Sequence, residues 1–400
     1  MSSDGLGADR LGGEGALRLL VTGGGTGGHT YPALTAVRTT ASRLSARGAT
    51  ADILWVGTAA GLEARVSESE GIRFVAVAAG KIRRAHNPLK MLSWANLRDM
   101  LRVPFGMVQA IRTVAVFRPD VVLATGGYVS VPVSLAAWVC RRPLVVHEQT
   151  VRLGLANRLL ARIATTMAVS SASTLPLLPG KAKGRAAVTG NPVRPEVLTG
   201  NAAKALEALG LDAFDPARPT VYVTGGAQGA VQINELVGKL LSWLLERANV
   251  IHQCGPAAVE TLRAAAAGLP TDLAGRYLPV GFVGPELPDV FALADLVVSR
   301  SGAGTIAELT ALGLPSVLIP LASSAGGEQA HNARHLADEG AASALLDEVT
   351  PTVLGETLEP LLTDPARRET MAEIARTLGR PDAGDRLVDV VLEAAGADVR

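Results

Sequence analysis

The chain has 400 residues, enough for two or three domains. It is 48% hydrophobic and 19% charged, with a mean hydropathy of +0.27, which excludes a disordered protein. Lys and Arg number 38 against 37 Asp and Glu, so no global basic field marks a nucleic-acid partner, and the two cysteines, Cys140 and Cys254, form no C-x-x-C pair or metal-spaced cluster, which argues against a disulfide framework or structural zinc and for a reducing compartment.

Residues 1–16 are Gly-rich with mixed charge and lack the basic start and apolar core of a signal peptide; they read as a disordered tail. Apolar runs at 17–21 (LRLLV), 52–56 (DILWV), 73–77, 120–124, 143–147 (PLVVH) and 165–169 read as strands. A second set lies at 220–224 (TVYVT), 249–253, 279–283, 295–299 (DLVVS) and 315–319 (PSVLI). Ala/Leu-rich segments between them, such as 32–47 and 302–312, read as helices. Continuously apolar strands alternating with helices predict an α/β fold with parallel sheets covered on both faces. The uncharged stretch 121–140 is about as long as a membrane span, but Gly126, Gly127, Ser130 and Pro132 break it. A buried strand, a turn and an apolar helix (133–140) account for it, so the protein is expected to be soluble or bound at a membrane surface.

The pattern restarts. LRLLVTGGGTGG opens the first half and TVYVTGGAQGA the second, each ahead of a helix, as two Rossmann-like, doubly wound domains in series would read. The boundary is placed at 190–195 (GNPVRP), and a cleft between such domains is a common ligand site.

Three Gly-rich turns carry the chemistry. Gly23–Gly28 matches G-x-G-x-x-G after a strand and before a helix, where main-chain amides and the helix dipole favour an anion. The acidic residue that would end the next strand in a nicotinamide site is missing, and a turn that merely permits close packing is the bland alternative. Gly225–Ala230 forms the second turn and Ser301–Thr305 the third, whose helix is expected to carry Glu308 in its first turn. A carboxylate there suits both hydroxyls of a ribose, or simply balances the helix dipole. No D-x-D pair occurs, so no metal is indicated; main-chain amides and Arg194 would offset a diphosphate.

His29 opens the helix after the first turn, and a helix N-terminus disfavours a cation, which suits a His acting as a base; the alternative is a His that only caps or packs. His147 and Glu148 end a strand, and adjacent strand residues face opposite sides, so both cannot reach one substrate atom. His331 and His335 are four apart on a predicted helix but lack H-E-x-x-H and read as a solvated face. Residues 81–118 hold eight Lys/Arg and one acidic residue, Asp99, interleaved with Leu89, Met91, Leu92, Trp94, Leu97, Met100, Leu101 and Phe105. The pattern suits an anionic lipid surface, though an ordinary helix pair would also place its apolar residues in a core.

Taken in order, GGGTGGHTYPAL (23–34), GGYVSVP (126–132), HEQT (147–150), GNPVR (190–194), GGAQGA (225–230), RSGAGTIAEL (300–309) and EQAHNA (328–333) resemble the MurG family over about residues 17–390. The resemblance implies a GT-B architecture: two Rossmann-like domains facing a cleft, an N-terminal acceptor and membrane-docking domain over 17–191, a C-terminal UDP-sugar domain over 192–382, and a final helix within 383–400 that returns to the first domain. It implies an inverting glycosyltransferase that moves N-acetylglucosamine from UDP-N-acetylglucosamine to the 4-hydroxyl of the N-acetylmuramyl unit of lipid I, giving lipid II for peptidoglycan and hence cell shape and division. His29 is then the base. Thr26, Gly27, Gly28, Thr150, Arg194, Ala227, Val283, Ala303, Gly304, Thr305, Glu308 and Gln329 are donor contacts, with Glu308 on the ribose. Lys81, Arg83, Arg84, Leu92, Trp94 and Leu97 dock at the cytoplasmic face of the membrane as a peripheral protein. No cofactor beyond the donor substrate is implied, and no nucleic acid. Thr150 stands where the family commonly has Asn, Ala227 where it has Ser, and Val131 where it has Gly; the loop 321–327 also differs. These departures keep three alternatives open: a relative acting on a secondary-metabolite acceptor, a UDP-N-acetylglucosamine epimerase, and a non-catalytic nucleotide-sugar binding module.

Overall fold

The computed structural model describes residues 16–80 and 94–397, the side chains of 94–102 and 325 excepted. The chain divides into two units, residues 1–192 with 382–400, and residues 193–381.

In the first unit, β1 (Leu17–Thr22), β2 (Ala51–Gly57), β3 (Arg73–Ala76), β4 (Val121–Ala124), β5 (Leu144–Glu148), β6 (Thr166–Val169) and β7 (Ala186–Val188) form one parallel sheet in the order β3-β2-β1-β4-β5-β6-β7. The strands are apolar throughout because both faces are covered. Leu20, Leu54, Val122 and Val146 pack on one face, beneath Ala110, Val114 and Phe117 of the helix Trp94–Phe117 and Val133, Ala136 and Ala137 of the helix Ser130–Val139. Leu19, Val21, Trp55, Leu123 and Val145 pack on the other. That face is closed by the helix Gly27–Ala46 and by the last helix, Ala383–Ala395, whose Leu387, Val390 and Val391 join the same cluster.

In the second unit, β8 (Thr220–Thr224), β9 (Asn249–Gln253), β10 (Tyr277–Val280), β11 (Leu296–Ser299), β12 (Ser316–Leu318) and β13 (Ser343–Ala344) form a parallel sheet in the order β10-β9-β8-β11-β12-β13. Its two faces are again separate apolar clusters, one around Val221, Val223 and Val250, the other around Tyr222, Ile251 and Val297.

Both sheets reverse strand order beside their first strand, between β1 and β4 and between β8 and β11. Loops at the carboxyl ends of strands diverge at such a point and open a crevice for ligands. Residues 23–28 and 125–129 lie there in the first unit, and 225–230 and 300–304 in the second.

Several sequence expectations shift. The first helix begins at Gly27 rather than 32, so the Gly-rich turn runs directly into helix, and Pro32, lacking an N–H, costs that helix one internal bond. β10 occupies 277–280 rather than 279–283: Tyr277 pairs with Val250, and Val283 lies beyond the strand. β7 and β13 are too short and too rich in alanine or serine to stand out as apolar runs.

Candidate active site

In the first unit the site is built around His29. Thr26 caps the helix in an extended conformation, and its carbonyl accepts from the Thr30 amide at 3.1 Å, while its hydroxyl makes no capping bond. Gly27, Gly28 and His29 thus fill the first helical turn; the His29 amide donates to the Thr26 carbonyl at 3.2 Å, while those of Gly27 and Gly28 have no carbonyl behind them. The His29 Nδ1 lies 2.9 Å from the Thr125 carbonyl oxygen and 3.0 Å from Gln149 Oε1. The Thr125 hydroxyl donates to the His29 carbonyl at 2.8 Å, so Thr125 grips this residue at both ends. Gly126, at φ +101°, leaves room for the ring: a Cβ there would stand 3.1 Å from the imidazole.

Behind His29, the Gln149 amide nitrogen donates to the Thr125 carbonyl at 2.6 Å and to the His147 carbonyl at 3.1 Å, and lies 3.1 Å from His147 Nδ1. His147 Nε2 lies 3.0 Å from the Gly190 carbonyl. Complete burial pushes the His147 pKa down to about 4, so it is neutral at physiological pH. Glu148 is also buried. One of its oxygens accepts from the Gly154 amide at 2.8 Å and Asn157 Nδ2 at 3.0 Å, and the other from the Thr150 amide and hydroxyl at 3.2 and 3.0 Å. His147 and Glu148 therefore organise the loop and do not face a substrate. The Thr150 hydroxyl is engaged with Glu148 and the Arg152 carbonyl.

The first Gly-rich turn departs from an anion cradle. Glu63 is fully buried beneath it and accepts from the Gly25 amide at 3.1 Å, the Thr58 amide at 2.9 Å and the Thr58 hydroxyl at 2.7 Å. Burial alone would raise its pKa, but these bonds outweigh burial and hold it below the usual carboxylate value, so the group is charged. A Cβ at Gly24, Gly57 or Gly61 would overlap the Glu63 side chain. Nothing in spacing or composition marks Glu63, Thr125 or Gln149 as functional, although Gln149 lies inside the HEQT motif.

In the second unit the helix Ala303–Leu312 starts at the end of β11, behind Gly302 in an extended conformation. The amides of Ala303, Gly304 and Thr305 form its first turn and suit phosphate oxygens. Glu308 falls in the second turn, not among the first-turn acids that balance a dipole, and Arg194 Nε donates to its Oε1 at 2.8 Å. Arg194 and Glu308 were expected to serve separate parts of a ligand; here they are joined. Ala227 lies exposed in the turn after β8, between Gly226 at φ +89° and Gly229 at φ +73°. Gln253, buried at the end of β9, donates to Thr224 Oγ1 and the Gly226 carbonyl, both at 3.0 Å, and its Oε1 accepts from the Val283 amide at 2.8 Å. The Val283 amide is thereby committed inside the protein. Gln329 is partly committed too: its Oε1 accepts from the Leu321 amide at 2.9 Å and its carbonyl from the Ser301 hydroxyl at 2.7 Å.

Lys81, Arg83, Arg84 and Leu92 lie outside the described residues, as do the side chains of Trp94 and Leu97, which open the helix Trp94–Phe117. Further along that helix Phe105 and Val108 are exposed, as is Trp138 on the neighbouring Ser130–Val139. Among the described residues, no helix is long and apolar enough to cross a membrane, and no three His, Cys, Asp or Glu cluster as metal ligands.

Residues 19–169 match the glycosyltransferase family 28 N-terminal domain and residues 220–387 its C-terminal domain. The chain is 36% identical to the UDP-N-acetylglucosamine–N-acetylmuramyl-(pentapeptide) pyrophosphoryl-undecaprenol N-acetylglucosamine transferase of Desulforudis audaxviator, over 96% of this chain and 100% of that one. It is 35% identical to the enzyme of the same name from Listeria monocytogenes, over 94% and 99%. The crystal structure of MurG from Acinetobacter baumannii aligns with a TM-score of 0.72 at 26% identity, over 94% of this chain and 99% of that one. The crystal structure of a putative UDP-N-acetylglucosamine 2-epimerase from Listeria monocytogenes aligns with a TM-score of 0.65 at 16% identity, over 95% of this chain and 96% of that one, a likeness of fold alone. With both domains matched and relatives spanning nearly its whole length, the chain belongs to the MurG family, within glycosyltransferase family 28.

Proposed function

We propose that the protein transfers N-acetylglucosamine from UDP-N-acetylglucosamine to the 4-hydroxyl of the N-acetylmuramyl unit of lipid I, giving lipid II and UDP. The observation that carries this reading is end-to-end similarity to transferases of that name, at 36% identity over 96% of the chain. The epimerase alternative has only a shared fold behind it.

In this reading the second unit holds the donor. The carboxylate of Glu308 accepts from the ribose hydroxyls, while the Ala303–Thr305 amides and the Arg194 guanidinium offset the diphosphate. The first unit holds the acceptor, with the exposed helix start at Thr26, Gly27 and Gly28 near the transferred sugar. His29 takes the proton of the attacking hydroxyl. The new bond from that oxygen to the anomeric carbon forms as the bond to UDP breaks, the electron pair leaves with UDP, and the anomeric configuration inverts. The negative charge that develops on the departing diphosphate is where fixed dipoles lower the barrier most.

The basic stretch 81–118, with Phe105 and Val108 exposed, supports peripheral docking at the cytoplasmic face, where the lipid-linked acceptor is offered. Co-sedimentation with anionic vesicles checks this, and binding that ignores lipid charge overturns it.

Incubation with UDP-N-acetylglucosamine and a short-chain lipid I analogue tests the transfer. A disaccharide product with one UDP released per transfer is expected. Absence of transfer with UDP binding retained overturns the acceptor assignment. Solvent-proton exchange at the second carbon of the sugar without an acceptor identifies an epimerase.

A further inference from the structure

The polar groups behind His29 admit one arrangement of protons. Gln149 is almost wholly buried, and its Nε2 faces two main-chain carbonyls, those of Thr125 and His147, at 2.6 and 3.1 Å. Turning the amide over would set its oxygen against both carbonyls, leaving two acceptor–acceptor contacts with no water to relieve them. The orientation of Gln149 is therefore fixed, and its Oε1 faces His29 Nδ1 at 3.0 Å. The Thr125 carbonyl faces the same nitrogen at 2.9 Å. Two acceptors on Nδ1 require a proton there. On the far side, His147 Nε2 faces only the Gly190 carbonyl and so carries its own proton, which leaves His147 Nδ1 to accept from Gln149. In this one pattern no two acceptors are left face to face without a proton between them, the two Gln149 amide hydrogens being shared among three acceptors. Among the described residues, His29 Nε2 has no partner.

We propose that Gln149 is a positioning residue for the transfer: its amide oxygen, together with the Thr125 carbonyl, holds the His29 proton on Nδ1 and so presents Nε2 as the proton acceptor. The proposal rests on the reading of His29 as the base. It assigns His147 no proton-transfer step; burial keeps that ring neutral, and its accepting Nδ1 helps hold the amide in place. When His29 becomes an imidazolium on taking the hydroxyl proton, Nδ1–H already has two oxygen partners, so the charge meets a shell that needs no rearrangement. Because the partner is a neutral amide and not a carboxylate, it directs the ring without pairing a formal charge with it.

Imidazole nitrogen NMR of the full-length enzyme reads the tautomer directly. His29 is expected with a protonated Nδ1 and a bare Nε2; a proton on Nε2 overturns the proposal. Gln149→Met keeps the volume and loses the polar contacts, whereas Gln149→Glu keeps an oxygen on His29, and its acid form also donates to the Thr125 carbonyl. In Gln149→Met, kcat should fall by about ten-fold or more, with KM for UDP-N-acetylglucosamine and UDP affinity unchanged. Gln149→Glu should recover part of that loss. If both variants fall alike, or if the Met variant stays within about two-fold of wild type, Gln149 is only a filler and the proposal fails. A His29→Ala enzyme that still turns over removes the base reading and the catalytic claim with it, whereas full loss in His29→Ala with no effect at Gln149 sinks this proposal alone.

Discussion

Arg194 donates its Nε–H to Oε1 of Glu308 at 2.8 Å, joining the segment that opens the second unit to the helix that follows β11. The pairing keeps a carboxylate and a guanidinium side by side in the proposed donor site. In that proposal the two carry different loads when a nucleotide binds. Glu308→Gln should weaken both uridine and UDP by about ten-fold, since a hydrogen bond to a charged group is lost in each case. Arg194→Ala should weaken UDP and leave uridine nearly unchanged. Calorimetric titration with the two ligands separates the roles, and equal losses for both ligands in Arg194→Ala contradict the diphosphate assignment.

Gly126 is a conformational requirement as well as a clearance. A side chain at φ +101° is strained, and its Cβ would stand 3.1 Å from the His29 ring. Gly126→Ala should displace the imidazole and lower kcat by about a hundred-fold while UDP affinity holds. Steady-state kinetics beside UDP titration checks this.

The last helix lies far along the sequence from the sheet that it covers. Leu387, Val390 and Val391 are buried among Leu19, Val21, Trp55 and Leu123. Burial of each aliphatic side chain is worth about 1.5–3 kcal/mol, so the three together rival the whole stability of a domain, about 5–15 kcal/mol. A chain ending at Pro381 should lose the fold of its first unit and keep that of its second. Leu387→Ala alone should cost about 2–5 kcal/mol. Thermal unfolding and limited proteolysis read both outcomes.

Each unit holds a buried neutral histidine. Burial pushes His147 and His252 from the ordinary 6.5 down to about 4. The unfolded chain takes up these protons first, so stability is fully present above about pH 6.5 and is lost as pH falls toward 4. Glu63 acts at the acid end of this range: its lowered pKa contributes stability above the ordinary 4.5 that is lost as pH falls through the folded value. Unfolding temperature should therefore decline steadily from neutrality to about pH 5. His252→Gln should be less stable at neutral pH, having lost partners in Tyr277 and Asn234, but should show a flatter decline.

The strand–turn–helix order was legible because covered parallel strands are apolar at every position and the turns after β1, β8 and β11 need glycine or small residues. Pro279 and the apolar residues after it drew the β10 reading too far along the chain, since composition cannot say where pairing with β9 stops. His29, Arg194 and Glu308 stood out through motif and chemistry. Gln149, Thr125 and Glu63 did not: each works through main-chain groups distant in sequence, and a glutamine facing a carbonyl looks like any other until the chain is folded.

Glu63 makes the two halves electrically unlike. They repeat one strand order, yet the glycine loop of the first already embraces a resident anion supplied by the protein itself. A second nucleotide meets repulsion there from that carboxylate. UDP should accordingly saturate the enzyme at one molecule per chain, the duplicated architecture notwithstanding.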